Sequence, residues 1–190
     1  ASRVVAGSIA QQLLTEQNIH ISAQLIQVGT ETNPGNFAQY IADIQQQGDS
    51  IGGIVECTIT GLPMGLGEPI FDKLQSHLAY AMLSINACKG FEYGSGFSNV
   101  ALKGSEMYLS NDSQLVSGGI AGGISDGNPI VFRCVFKPTA SNRKTLESLH
   151  STLNSQLSTL KLGRHDACVA VRAVAVVEAM AALVLQDLIP

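Results

Sequence analysis

Hydrophobic and polar positions follow spacings that change from segment to segment along the chain, and those spacings predict its elements. Val5, Ile9 and Leu13 recur every four residues, the spacing of a helix that starts with no cap or turn signal. Ile19, Ile21, Ala23 and Leu25 then alternate with polar residues, as a half-buried strand requires. Residues 36–47 place Phe37, Tyr40, Ile41 and Ile44 on one helical face, with Gly48 as the stop. Val55, Cys57 and Ile59 face one way and Glu56, Thr58 and Thr60 the other, the alternation of an antiparallel sheet with one buried side. Residues 61–69 predict a turn and a helix entry with Pro69 in the first turn, and Phe71, Leu74, Leu78, Met82 and Ile85 form an apolar stripe assigned to the core.

A second unit of similar plan follows a Gly/Ser/Asn-rich loop from Gly94 to Ser117. Residues 129–136 predict a strand, and residues 145–160 a helix with Leu146, Leu149, Leu153, Leu157 and Leu160 on one side. The most apolar run, Cys168 to Leu185, contains Arg172 and Glu178, whose charges argue against a membrane span. It reads as a buried strand followed by a core helix over residues 173–185. Two strand-plus-helix units with one-sided strands give an α+β fold, layers of helices packed against antiparallel sheets. At 190 residues the chain suits a single domain.

Composition narrows the functional classes. A chain 45% hydrophobic and 14% charged forms a core and is not disordered. Its 19 glycines and lack of Trp make bends and close backbone approaches more important than aromatic stacking. A net charge of −4 argues against nucleic acid or a membrane surface as partner, because phosphate neutralisation needs a basic excess. Cys57, Cys88, Cys134 and Cys168 lack metal-ligand spacing, so no metal site is expected, and isolated thiols suit a reduced, cytoplasmic protein.

Charge is nevertheless uneven. Between Val131 and Arg172, seven basic residues (Arg133, Lys137, Arg143, Lys144, Lys161, Arg164 and Arg172) face only Glu147 and Asp166, so this stretch carries +5. It is either an attractor for a small anion or a solvated basic face. The paired glycines of residues 118–123 either let backbone N–H groups approach a phosphate or flat ring, or form a bend before a strand. Lys137, Pro138, Thr139, Ala140 and Ser141 offer an ammonium, hydroxyls and backbone amides to an anion, or are an ordinary strand exit. Arg164, His165 and Asp166 bring a guanidinium, an imidazole and a carboxylate together, or Arg164 and Asp166 form a local ion pair. Asn86 either caps the end of a helix or presents its amide to a heterocycle.

Taken in order, GDSIGG at 48–53, GLPMGLGEPIFDKL at 61–74, SINA at 84–87, GGIAGGIS at 118–125, KPT at 137–139 and GRHD at 163–166 resemble the chorismate synthase family. The resemblance runs over nearly the whole chain. It implies a layered β-α-β sandwich, usually a homotetramer, that converts 5-enolpyruvylshikimate 3-phosphate to chorismate and phosphate. This is a carbon–oxygen lyase step of aromatic amino-acid biosynthesis with reduced FMN (FMNH2) as cofactor, and the family is associated with NADP. By motif, Asn86, Ala87, Gly122, Lys137, Pro138, Thr139, Ala140, Ser141 and Arg164 would bind the flavin or the anions beside it, and Asp166 would assist proton removal. The sequence departs from the family at Leu115-Val116-Ser117, where the loop commonly holds an Asn, at Ala140 in place of a frequent second hydroxyl residue, and at Ala167 in place of the usual Pro. Neither His77 nor His165 matches the family's two catalytic histidines, which belong to an N-terminal half with no counterpart here. The expectation is therefore the C-terminal portion of a larger catalytic domain, with little or no activity alone. The alternative is a non-catalytic oligomerising or anion-binding module.

Overall fold

The one-sided strands assemble into a four-stranded antiparallel sheet, and the helices cover its apolar face. The computed structural model describes residues 1–109, 116–145, 148 and 166–189. In chain order the elements are α1 (Ser2–Glu16), β1 (His20–Val28), α2 (Phe37–Gln46), β2 (Gly53–Thr60), α3 (Leu74–Leu83), β3 (Cys88–Tyr93), α4 (Gly104–Leu109), β4 (Ile120–Ala121), β5 (Ile124–Ser125), β6 (Ile130–Phe136) and α5 (Ala170–Leu188). The sheet order is β1-β2-β6-β3, and β4 pairs with β5 in a small separate hairpin.

Register places the alternating apolar residues on one face. Ile21 lies opposite Ile59, Leu25 opposite Val55, and Cys57 opposite Phe132. A bulge between Leu25 and Gln27 shifts the phase of β1 by one residue, which turns Val28 into the core. Ile130, Phe132, Cys134 and Phe136 continue that face on β6. The central helix α5 crosses β1 and β2, with α1 and α3 packed beside it. Glu178, whose charge interrupts the apolar run, accepts the N–H of Ala23 at 2.7 Å on the edge strand β1. An otherwise open ladder position is thereby satisfied. Among the described residues, no helix is long and apolar enough to cross a membrane.

Several expectations are corrected. The first helix forms, but Val5, Ile9 and Leu13 lie on its exposed side, and Gly7, Ala10 and Leu14 are buried. Small residues win because α1 crosses α5 closely: a Cβ on Gly7 would stand 2.4 Å from the Cα of Ala179. Helix α3 starts at Leu74 and not near Pro69, so Phe71 leaves the stripe and is 87% exposed, while Leu74, Leu78, Met82 and Ile85 are buried as expected. The run from Cys168 holds no strand, since α5 begins at Ala170. The loop from Gly94 to Ser117 contains a 3-10 helix, Gly96–Ala101, and then α4. Strand β3 was not anticipated. The paired glycines are a hairpin turn: Gly122 and Gly123, with φ of 64° and 104°, join β4 to β5. The helix expected over residues 145–160 lies outside the described residues, apart from positions 145 and 148.

Candidate functional site

Four segments meet at one end of the sheet: the entrance to β2, the entrance to β3, the exit of β6 and the approach to α5. Between α3 and β3 the chain turns through Asn86 and Ala87, and Ala87 takes a left-handed φ of 69° that is costly for any residue with a Cβ. That turn aims the Ala87 carbonyl at β6, where it accepts the N–H of Lys137 at 2.9 Å. The side chains of Asn86 and Lys137 are both exposed beside this bond.

The strand exit after Lys137 is held from two sides. Ser50 donates its hydroxyl to the Thr139 carbonyl at 2.6 Å, and Asn142 donates its amide to the same carbonyl at 3.2 Å. Thr139 donates its own hydroxyl to the Asp166 carbonyl at 3.1 Å, and the Ile51 N–H reaches the Ala167 carbonyl at 2.7 Å. Gly52 is required at this junction, because a Cβ there would lie 2.5 Å from the Phe136 carbonyl oxygen. The turn before β2 thus clamps both the Lys137 loop and the Asp166 segment. Asp49 helps to fix it: the Ser50 amide and then the Lys144 ammonium, 3.1 Å away, hold its carboxyl below the usual carboxylate range.

Asn86 opens into a cleft of about 320 Å³ lined also by Arg3, Ile85, Val169, Arg172 and Val176. Arg3 arrives from α1 and donates to the Ser84 carbonyl at 3.1 Å. Arg172 arrives from α5 and pairs with Asp166 at 2.8 Å, which orients the carboxylate. Two guanidiniums, an amide and the nearby Lys137 give this end of the sheet a donor set suited to phosphate or carboxylate groups.

The structure therefore brings together Asn86, Ala87, Lys137, Pro138, Thr139, Ala140, Ser141 and Asp166. It does not bring Gly122 to them. The hairpin follows Gly118, which packs against Gly94, and the Gly94 N–H is bonded to the Val131 carbonyl at the opposite end of β6. Six residues of strand put roughly 20 Å between the two ends. A Cβ on Gly122 would meet nothing within 4 Å, so its side is open. Gly122 borders a larger cavity of about 820 Å³, with Gln75, Tyr93, Phe97, Glu92 and Asp126. Its named lining residues contribute carboxylates and no cationic side chain, so size does not make it the anion site. Arg164 lies outside the described residues.

The basic stretch is partly spent on structure. Arg133 projects from the outer face of β6 between Glu56 of β2 and Glu92 of β3, directly opposite both in register, at 2.9 and 3.1 Å. Sequence reasoning missed Ser50, Asn142, Arg3 and Arg172 as parts of this end of the sheet. For Ser50 the signal was the tight GDSIGG turn; for Arg3, one charge on a first-turn helix position, there was none.

Comparison with known proteins shows the family. The chain matches the chorismate synthase family model over residues 1–189. It is 45% identical over 216 positions to the chorismate synthase of Flavobacterium psychrophilum and 44% identical over 219 to that of Christiangramia forsetii, covering 98% of this chain and 60% of each relative. The chorismate synthase of Prochlorococcus marinus is 41% identical with the same coverage. A crystal structure of chorismate synthase superposes with a TM-score of 0.77 at 25% identity, over 98% of this chain and 61% of that one. The chain thus spans about 60% of the length of the curated relatives it matches. It belongs to the chorismate synthase family.

Proposed function

We propose that this chain carries the anion- and flavin-facing part of an enzyme that eliminates phosphate from 5-enolpyruvylshikimate 3-phosphate to give chorismate. The observation that carries this reading is the convergence of the Asn86–Ala87 turn, the Lys137 loop and Asp166, fastened by the Ala87, Ser50 and Thr139 hydrogen bonds. The donor set fits reduced FMN and a polyanionic substrate: an exposed ammonium, an exposed amide and two cleft-lining guanidiniums are gathered at one end of an otherwise acidic chain. Bound reduced flavin would supply a transient donation of electron density to the substrate as phosphate leaves, with no net redox change. Lys137 and Arg172 neutralise charge beside that event, Thr139 fixes the Lys137 loop against Asp166, and Asp166, held by Arg172 through one oxygen, is the base that takes the ring proton. Gly122 stands apart from this cradle. Such an enzyme works in the cytoplasm with NADP-linked reduction of its flavin, and this chain alone turns over little or no substrate.

Titration of this chain with FMN under reducing conditions, followed by flavin fluorescence or absorbance, tests the proposal. Lys137→Met weakens binding about tenfold, the loss of one charge-assisted contact. Equal affinity in the variant, or no binding at millimolar flavin, sinks the assignment of this end of the sheet. An assay of chorismate formation runs alongside, and robust turnover by this chain alone refutes the statement that it is inactive.

A self-assembling module is the second reading, favoured by the stripe of Val5, Ile9 and Leu13, which are 63%, 58% and 44% exposed on α1. Pairing of two copies through that stripe would serve the tetramer expected of the family. Sedimentation that gives a monomer at high concentration rules it out.

A further inference from the structure

Away from the anion-binding end of the sheet, an apolar projection and an apolar cavity lie on the two sides of the β4–β5 hairpin. After β2 the chain leaves the sheet through residues 61–73, where Met64, Ile70 and Phe71 are 74%, 72% and 87% exposed. The base of this loop is fastened to the hairpin. Ser125 donates its hydroxyl to the Pro63 carbonyl at 2.6 Å and accepts the Leu66 N–H at 2.9 Å, and the Leu74 N–H reaches the Gly123 carbonyl at 2.8 Å. The tip is closed by the Glu68 N–H on the Asp72 carbonyl at 2.9 Å and the Phe71 N–H on the Pro69 carbonyl at 3.1 Å. Ile70 takes a φ of 75°, a left-handed conformation that β-branched residues rarely adopt. Such a conformation persists only where the surrounding bonds over-determine it, and here it leaves two large apolar side chains in succession facing solvent. The carboxylate beside them, Asp72, is turned back onto His77 at 3.2 Å.

The cavity of about 820 Å³ has the complementary character: Ala79, Phe91, Tyr93, Phe97 and Met107 line it. Its carboxylate Glu92 is already engaged by Arg133 at 3.1 Å and by the Phe97 N–H at 3.2 Å. Ile120 and Asp126 of the hairpin wall the cavity, whereas Gly123 and Ser125 hold the loop, so projection and cavity are neighbours at one end of the molecule. The mouth is apolar as well. Tyr80 shares a face of α3 with the lining residue Ser76, Phe97 and Val100 share a face of the 3-10 helix, and all three large side chains are exposed.

We infer that a second copy of this chain covers both features at once, the Ile70–Phe71 tip of each copy entering the cavity of the other about a two-fold axis. A projection beside the cavity it fits is the self-complementary surface that such an axis requires. A cavity of about 820 Å³ takes a drug-sized ligand and so admits a Phe and an Ile side chain. At roughly 150 Å² each, Met64, Ile70, Phe71, Tyr80, Phe97 and Val100 bring roughly 900 Å² from each copy, against about 800 Å² per partner in a stable interface. The hydrogen bonds that fix the tip before docking leave little freedom to be lost on association. This interface uses neither the α1 stripe nor the Lys137 end of the sheet, so it holds whether or not this chain binds flavin.

The test combines sedimentation with photocrosslinking of the full chain. Phe71→Asp and Phe97→Asp, one on the tip and one on the cavity, each weaken dimerisation about thirtyfold or more, the effect of losing a buried aromatic anchor. Ile9→Asp on the α1 stripe leaves this dimer unchanged. Because Phe71 and Phe97 are exposed in the single chain, both variants keep the native melting temperature measured at a dilution where the chain is monomeric. The crosslink needs no disruptive substitution: benzoylphenylalanine replaces Phe71 in both isotopically light and heavy chains, which are mixed before irradiation. The expected product joins tryptic peptide 4–73 of one isotope to peptide 90–103, which holds Phe91, Tyr93 and Phe97, of the other. A chain that stays monomeric at millimolar concentration overturns the inference. So does a dimer that survives Phe71→Asp but not Ile9→Asp, or a crosslink that forms only within one isotope or only to other peptides.

Discussion

The crossing of α1 and α5 gives a prediction whose sign is decided by geometry against helix propensity. Gly7 sits inside α1, where replacing Gly by Ala ordinarily stabilises a helix by about 0.8–1 kcal/mol. Here the added Cβ would lie 2.4 Å from both the Cα and the Cβ of Ala179 and 2.7 Å from its carbonyl oxygen. Carbon atoms pack best at about 3.5–4.0 Å, so the helices would have to part by more than about 1 Å. Helix α5 has no room to retreat, since Ala173, Val177, Ala181 and Leu185 are buried beneath it. Overpacking of a fixed interface costs roughly 1–3 kcal/mol, and collision with backbone atoms places this site in the upper part of that range. Gly7→Ala is therefore destabilising by roughly 1–2 kcal/mol net. At about 2–4 °C per kcal/mol for a chain of this size, the melting temperature falls by about 2–8 °C. Urea unfolding should show a lower midpoint with an unchanged slope. In the double variant with Ala179→Gly, part of the loss returns, but not all, because the new methyl still collides with the backbone of residue 179. A rise in melting temperature on Gly7→Ala would refute the close crossing.

Arg133→Met leaves Glu56 and Glu92 without their ion-pair partner on neighbouring strands, and with the three side chains 32%, 20% and 27% exposed the loss should be about 1–2 kcal/mol. Chemical denaturation measures it, and a loss below about 0.3 kcal/mol would show that the pairs are screened to nothing. Ala87→Gly relieves a left-handed φ of 69° and should stabilise the chain by about 0.5–1 kcal/mol, which a lower melting temperature would contradict. Asp49 has a carboxyl held down by the Ser50 amide and Lys144. A lowered folded value makes its contribution fully present above the ordinary carboxylate range and lost as pH falls through the folded value. Asp49→Asn should therefore be less stable than the native chain at pH 7, with the gap closing below about pH 4. A gap that stays constant from pH 7 to pH 2 would mean that the contact is not ionic.

Legibility in the sequence followed the physics of each element. Strands β1, β2 and β6 were readable because one face is buried and the other wet, which prints a period of two on the chain. Strand β3 prints no such period: its residues other than the exposed Lys89 are half-covered whichever face they take, it carries a bulge, and Lys89 and Gly90 are poor strand formers. The helix α1 was readable, but its buried side was not. Hydrophobicity points to Val5, Ile9 and Leu13, whereas a close crossing selects the smallest residue, and small size leaves little trace in an apolar count. The hairpin at Gly122 and Gly123 did carry its signal, two glycines between Ile120-Ala121 and Ile124-Ser125.

The basic stretch shows why the candidate site was harder to read than the fold. A window along the chain counts +5 between Val131 and Arg172, but an electric field is set by charges in space. Folding gives Arg133 to Glu56 and Glu92, Lys144 to Asp49 and Arg172 to Asp166, so four carboxylates, three of them far away in sequence, answer three of those cations. Folding also adds a cation the window did not contain, since Arg3 reaches the Asn86 cleft from the start of the chain. What survives is a narrower claim with a location: positive charge matters at the end of the sheet where Lys137, Arg3 and Arg172 surround Asn86 and Asp166. Lys137→Met should therefore weaken flavin binding far more than Arg133→Met, although the two variants change the net charge equally. Comparable losses would mean that the overall charge of the stretch, and not the arrangement around Asn86, attracts the ligand.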